Sequence, residues 1–291
     1  MVLKYLALLI FGVSVAACAS SPSEPPSESS LTTPLADPVE YAEIEAALEA
    51  GNLVQTKNLL ERAALARQKG PRYELLLAEY HLANGSTDMA GAEFSRIKDI
   101  EDVAARAHQG LGLSLIQSGD FDGAREALLT AIQSDAGLWR AWNALGVIYD
   151  RDADYDMATD AYEKAIELQP RRPEIVNNLG FSYLLNGDLE TAIDYFSEAL
   201  RLRSSLDVAR TNLRLAMALK GDYVAALAGS GSQDLRSLLN NAGVAALTRG
   251  DYINAEALLT RAMERSPSFY ALAAKNLEML QALKETQGSP K

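Results

Sequence analysis

The strongest constraint in this chain is a period. Stepping along it by 34 residues brings back the same residue types. Leu111, Leu145 and Leu179 form one column, followed directly by Gly112, Gly146 and Gly180. Further columns hold Ala124, Ala158 and Ala192, then Leu128, Tyr162 and Phe196, then Ala131, Ala165 and Ala199. Gly51, Gly85 and Gly119 carry the same phase back towards the N-terminus. A chain of this kind is an array of one small unit, in which each copy leans on its neighbours to build a shared core. The units are 37–70, 71–104, 105–138, 139–172 and 173–206, then a shortened 207–235, then 236–269.

Within each unit, apolar residues recur at helical spacing over two stretches of about 13 residues, which predicts two amphipathic helices. Glycine followed by Asn, Ser or Asp separates them, as in Gly51-Asn52, Gly85-Ser86, Gly119-Asp120, Gly187-Asp188, Gly221-Asp222 and Gly250-Asp251. Glycine can take the left-handed conformation that ends the first helix, and the polar residue after it can cap the second. The small residues Gly146 and Ala158 would let the paired helices approach, with Tyr162 filling the space beside them.

This pattern resembles the tetratricopeptide repeat, over about 230 residues. The fourth unit carries the whole signature: Trp142, Leu145, Gly146, Tyr149, Ala158, Tyr162, Ala165 and Pro170. The first two units are degenerate, with Glu40 and Glu74 where a large residue belongs. The resemblance implies an all-α, right-handed α-α superhelix of about seven helix pairs, with residues 270–291 as a capping helix and tail. After "KGDYVAALAG" the sixth unit breaks at "GSGSQDL", Gly229 to Leu235, and the next unit starts early. Glycine costs a helix about 1 kcal/mol relative to alanine, so this unit is expected to be shortened, looped or hinged.

The N-terminus has a different grammar. Lys4 precedes an apolar run from Leu6 to Val15, too short to span a bilayer, so residues 1–17 read as a secretory signal. The run ends in Val15-Ala16-Ala17-Cys18, which resembles the bacterial lipobox, and Cys18 is the chain's one cysteine. That resemblance implies a diacylglycerol or acyl lipid on Cys18 as the membrane anchor. It also implies the outer membrane, since Ala19 rather than Asp follows. Residues 18–36 are rich in Ser, Pro and Glu and read as a disordered tether. At about 3.1–3.6 Å per residue such a tether reaches about 60 Å.

Chemistry has little to build on. His81 and His108 are the only histidines, and both fall on packing columns, so no catalytic set, metal site or other cofactor is expected. "DRDADYD", Asp150 to Asp156, alternates acids like a calcium loop, but Tyr155 and Ala161 stand where Gly and Glu are needed. It reads more simply as an inter-helix turn. The net charge of −12, from 39 acidic and 27 basic residues, fits duplex nucleic acid poorly. Arg201, Arg203, Arg210 and Arg214 form one basic neighbourhood, either a solvated face or a dock for an acidic partner.

The tetratricopeptide resemblance places a partner groove on the first helix of each pair, at columns two, five, nine, twelve and thirteen. Column five reads Asn143, Asn177, Thr211 and Asn240, a polar lane suited to a peptide backbone. Column nine reads Val147, Phe181, Leu215 and Val244, and column twelve adds Leu184. The expected site is an apolar groove for a helix or extended segment; alternatively, the C-terminal helix or neighbouring repeats fill it.

Residues 173–284, with "VARTNLRLAMALKGDYVAALAGSG", "LLNNAGVAALTRGDYINAEALLTRAMERSP" and "NLEMLQAL", resemble the tight-adherence D lipoproteins of Flp (Tad) pilus assembly. This implies a non-enzymatic scaffold on the periplasmic face of the outer membrane. Its partners would be proteins, with a secretin or another pilus component foremost. The alternative is another periplasmic tetratricopeptide lipoprotein, either a type IV pilotin-like protein or a cell-wall-hydrolase adaptor.

Overall fold

The structure, a computed structural model, describes residues 38–229, 235–264 and 271–288. The signal segment, Cys18 and the whole tether lie outside the described residues, as do residues 230–234 and Pro267. The described residues form fifteen α-helices and no strand.

The first seven are α1 (Tyr41–Glu49), α2 (Leu53–Leu65), α3 (Pro71–Ala83), α4 (Thr87–Ile97), α5 (Ala104–Ser118), α6 (Phe121–Ser134) and α7 (Trp139–Arg151). Then come α8 (Tyr155–Leu168), α9 (Pro173–Asn186), α10 (Leu189–Leu202), α11 (Asp207–Lys220) and α12 (Tyr223–Leu227). The chain closes with α13 (Leu235–Thr248), α14 (Tyr252–Glu264) and α15 (Ala271–Gly288). The fold is all-α, built from the helix pairs of the tetratricopeptide repeat. It divides into two compact units, one ending at Ile148 and the other beginning at Tyr149, inside α7.

The turns form for the reasons their residues supply. Gly119 and Gly187 end α5 and α9 at φ 86° and 90°, where a side chain would be strained. The next residue caps the following helix: Asp120 accepts from the Gly123 amide at 3.0 Å and Asp188 from the Thr191 amide at 3.1 Å. Two turns depart from the pattern. Ser86 makes no side-chain cap. In the fourth repeat Ala153, not glycine, takes the left-handed position, at φ 61°.

Small residues bring paired helices together. A Cβ on Gly112 would stand 2.6 Å from Leu128 Cγ, and one on Gly243 would stand 2.6 Å from Leu259 Cγ. In the first unit the core is built on Ile44, Leu60 and Leu76, and on Leu75, Phe94 and Ile97. In the second it runs through Phe196, Ala216, Leu239, Ala255, Leu258 and Leu280. Phe94 and Phe196 are wholly buried, and truncating such a residue to alanine costs about 3–5 kcal/mol.

The shortened repeat is visible as geometry. Its second helix, α12, has 5 residues where α8 and α10 have 14. α13 therefore lies against both α11 and α12. The last two turns are strapped together. Tyr223 donates its hydroxyl to Asp251 at 3.0 Å, and Arg249 donates to the Leu219 carbonyl at 2.6 Å.

Candidate functional site

The expected site residues sit on the first helix of each pair, and burial sorts them. In the first unit, Asn143 and Val147 are half-buried on α7. In the second unit, Asn177 and Asn240 do not form an open polar lane. Both are buried, and each is bonded to the first helix of the next pair. Asn177 Oδ1 accepts from Asn212 Nδ2 at 3.1 Å, and Asn240 Oδ1 accepts from Asn276 Nδ2 at 2.9 Å. These amides bridge α9 to α11 and α13 to α15, since a buried amide without a partner would cost about 1–3 kcal/mol. They are cross-braces, not backbone receptors. Leu184 is likewise core: it is 4% exposed and packs with Ala192, Phe196 and Ala216. Of column five, only Thr211 is exposed, and its hydroxyl donates to the Asp207 carbonyl at 2.9 Å.

Column nine is different. Phe181, Leu215 and Val244 are half-buried, each one helical turn beyond the column-five residue of its helix. Phe181 and Leu215 pack one side against the core and leave the other open.

The face continues onto the last helix. The Asn240–Asn276 bond seats the expected capping helix, α15, where another first helix would stand. Leu272, Met279 and Leu283 flank Asn276 on the same stripe of α15 and are 48%, 52% and 36% exposed. On α11, Val208 in column two is 49% exposed. The i, i+7, i+11 spacing of Leu272, Met279 and Leu283 was the available signal, hidden because a terminal helix reads as a cap.

In the first three repeats of the first unit the same columns carry charge, before column nine turns apolar at Leu113 and Val147. Glu45 and Glu79 hold column nine; Arg72 and Arg106 hold column two. Arg106 bonds both acids: Nη1 to Glu45 at 2.7 Å, and Nε and Nη2 to Glu79 at 3.1 and 2.7 Å. Arg72 meets Glu45 at 3.1 Å. Burial pushes the Glu45 carboxyl up, but the two guanidiniums outweigh it and hold it below its ordinary range.

The remaining candidates have structural duties. His81 Nδ1 lies 2.8 Å from Glu93 Oε2. His108 is pushed down by burial, with Lys98 adding to the effect. The acids of "DRDADYD" are divided among separate tasks. Asp154 caps α8 through the Met157 amide at 3.4 Å, Asp152 pairs with Arg151, and Asp150 is buried. Asp150 accepts from the Tyr162 hydroxyl at 2.8 Å. Burial pushes its carboxyl up to about 6, while the Ser182 and Tyr162 hydroxyls pull the other way. Ser182 Oγ is close enough to be felt but stands outside hydrogen-bond geometry. In the arginine neighbourhood, Arg201 is paired with Glu198, Arg203 with Glu174 and Arg210 with Asp207. Arg214 instead donates to the Ala228 carbonyl at 3.2 Å.

Fold and face together define a tetratricopeptide-repeat array, an architecture whose extended surfaces serve protein recognition. Comparison with known proteins agrees on the fold. The family described as the tetratricopeptide repeat protein 21 C-terminal ARM domain matches residues 98–213. No curated protein matches the chain by sequence. Among solved structures, the chain is similar to one in the APC/C hetero-tetramer Cut9-Hcn1, with TM-score 0.63 and 18% identity. That match covers 82% of this chain but 48% of the other, so the chain spans about half its length. It is also similar to Pseudomonas aeruginosa pilF, with TM-score 0.53 and 20% identity over 74% of this chain and 97% of that one. A tetratricopeptide repeat protein from Parabacteroides merdae matches at TM-score 0.51 and 13% identity, over 83% and 98% of the two chains.

Proposed function

We propose that this protein is an outer-membrane lipoprotein scaffold that holds a segment of another protein on the inner face of its second unit. The observation that carries the reading is the row of open apolar side chains on successive first helices: Phe181, Leu215, Val244 and Met279. Exposed apolar residues aligned over several elements mark an interaction site more often than a solvated face. Lipid on Cys18 supplies the anchor and residues 18–36 the reach. The resemblance of residues 173–284 to the tight-adherence D lipoproteins makes the task assembly of the Flp/Tad pilus and secretion machinery, with the secretin as the leading partner.

The test is photocrosslinking in living cells from a photoreactive residue at Met279, with Met89 on α4 as the control position. A secretin or another pilus-assembly protein crosslinked at Met279 and absent at Met89 is the expected product. No crosslinked envelope protein at Met279 would refute the groove. A crosslinked protein unconnected with pili would keep the groove and refute the pilus assignment. The anchor is tested apart from this: Cys18→Ser should release the protein from membranes and abolish its sensitivity to globomycin.

A further inference from the structure

The shortened repeat leaves a pocket. Because α12 stops at Leu227, a small depression open to solvent, with enclosed room of about 10 Å³, enough for one water molecule, remains between α11 and α13. Thr211, Arg214 and Leu215 of α11, Ala226 of α12, and Leu238 and Asn241 of α13 line it. Ala226 is buried at the floor, Leu215 and Leu238 are half-buried, and Thr211 and Asn241 are exposed at the rim. The pocket is thus apolar at depth and polar at its edge, the arrangement expected for gripping a side chain and the backbone beside it.

Arg214 sets the partner's chemistry. Its three arginine neighbours are all paired with carboxylates, but Arg214 forms no ion pair among the described residues. Its single bond to the Ala228 carbonyl leaves most of its donors available. α11 as a whole is basic, with Arg210, Arg214 and Lys220 against Asp207 alone. The chain's overall charge of −12 would repel an acidic partner at a distance, yet that field is screened beyond about 8–10 Å at physiological salt. At contact the local guanidinium decides.

We propose that this pocket anchors an acidic, aliphatic segment of the partner. An aliphatic side chain lies over Leu215 and Leu238 at the mouth of the depression, and an Asp or Glu one or two positions away pairs with Arg214. Asn241 and the Thr211 oxygen, whose own proton is already given to Asp207, bond the segment's backbone. The proposal rests on the inner face being a binding surface, and adds where the partner is gripped and what it carries.

The probe is a random 12-residue peptide display library selected against the full chain. Enriched peptides are then synthesised and titrated by fluorescence anisotropy. Enriched sequences should pair an aliphatic residue with a nearby Asp or Glu. Arg214→Glu should weaken them by about tenfold or more, and exchanging the peptide's acid for lysine should restore much of the loss on that variant. Because recovery requires a folded site, the exchange separates lost recognition from lost structure. Peptides weakened by Phe181→Asp or Met279→Asp but indifferent to Arg214→Glu would overturn the anchor and leave the inner face standing. Enrichment of basic sequences would also overturn the anchor. No enrichment at all would overturn both readings. Self-association of the full chain abolished by Arg214→Glu would assign the pocket to a second copy and sink the proposal.

Discussion

The two units use the same repeat and treat its inner face in opposite ways. In the early repeats of the first, columns two and nine carry Arg72, Arg106, Glu45 and Glu79, whose side chains satisfy one another, before Leu113 and Val147 make column nine apolar. In the second, the same columns carry Val208, Phe181, Leu215 and Val244, continued by Leu272 and Met279 on α15, and nothing among the described residues covers them fully. An ion-paired face already has its partners, so a ligand would have to replace good bonds with equally good ones. A half-open apolar face gains from any occupant that removes it from water, at about 25 cal/mol for each Å² buried. The same repeat thus presents an ion-paired face in the early repeats and a half-open apolar one in the second unit.

Acid should separate the units most. Asp150, in the second, has its carboxyl raised to about 6 by burial, so its folded state holds the proton more tightly than the unfolded chain. The second unit therefore gains stability as pH falls from above 6 towards 4, on the order of 3 kcal/mol if the whole shift is realised. Glu45, in the first, is lowered, so its contribution is present at neutral pH and is lost as pH falls through its folded value. Hydrogen exchange at pH 7, 5 and 4 should show protection rising around α8 and α9 and falling around α1 and α3. Asp150→Asn should stabilise the second unit at pH 7 and flatten its response; protection there that drops in acid despite Asp150 would break the contrast.

A smaller effect is expected from placing charge on the open face. Met279→Asp should reduce partner affinity by about 2 kcal/mol, or about thirtyfold, with unchanged circular dichroism, since Met279 is 52% exposed in the free protein. A control change in the first unit away from that face, Val54→Asp on the exposed side of the second helix α2, should leave affinity alone.

Breaking the ion-paired face comes next. Arg106→Met should cost about 1–2 kcal/mol, because it strands Glu45 and Glu79 together in a half-buried place. Chemical denaturation followed by hydrogen exchange in α3 and α5 measures it. Smallest of all, Ala153→Gly should stabilise the fourth repeat by about 1 kcal/mol by relieving its left-handed backbone, read as a rise in Tm.

Much of this was legible in advance. The period located the helix pairs, the Gly-Asp turns located their ends, and "GSGSQDL" marked the repeat whose second helix is cut to five residues. The apolar character of column nine was equally plain. The fate of column five was not. An asparagine in a polar lane reads the same whether it faces a ligand or the next helix, and Asn177 proved to face Asn212, 35 residues away. Leu184 had the same ambiguity and went to the core. The link from Glu45 to Arg106 crosses 61 residues and three repeats, beyond any local pattern. α15, expected as a capping helix, presents Leu272, Met279 and Leu283 on its exposed side.

A repeating pattern of small, apolar and turn-forming residues is a statement about local geometry, because helix periodicity, caps and left-handed turns depend on neighbours a few positions apart. From it follow the all-α class, the helix pairs, and the failure of the sixth repeat. Which side of each helix is satisfied and which is left open depends on the residue that the adjacent repeat happens to offer at that height. Hydrogen bonds form only within about 3 Å, and burial is a property of surroundings. Only the folded neighbourhood could turn two asparagine columns into braces, tie the early repeats' inner face with arginine, and leave the second unit's apolar column half open.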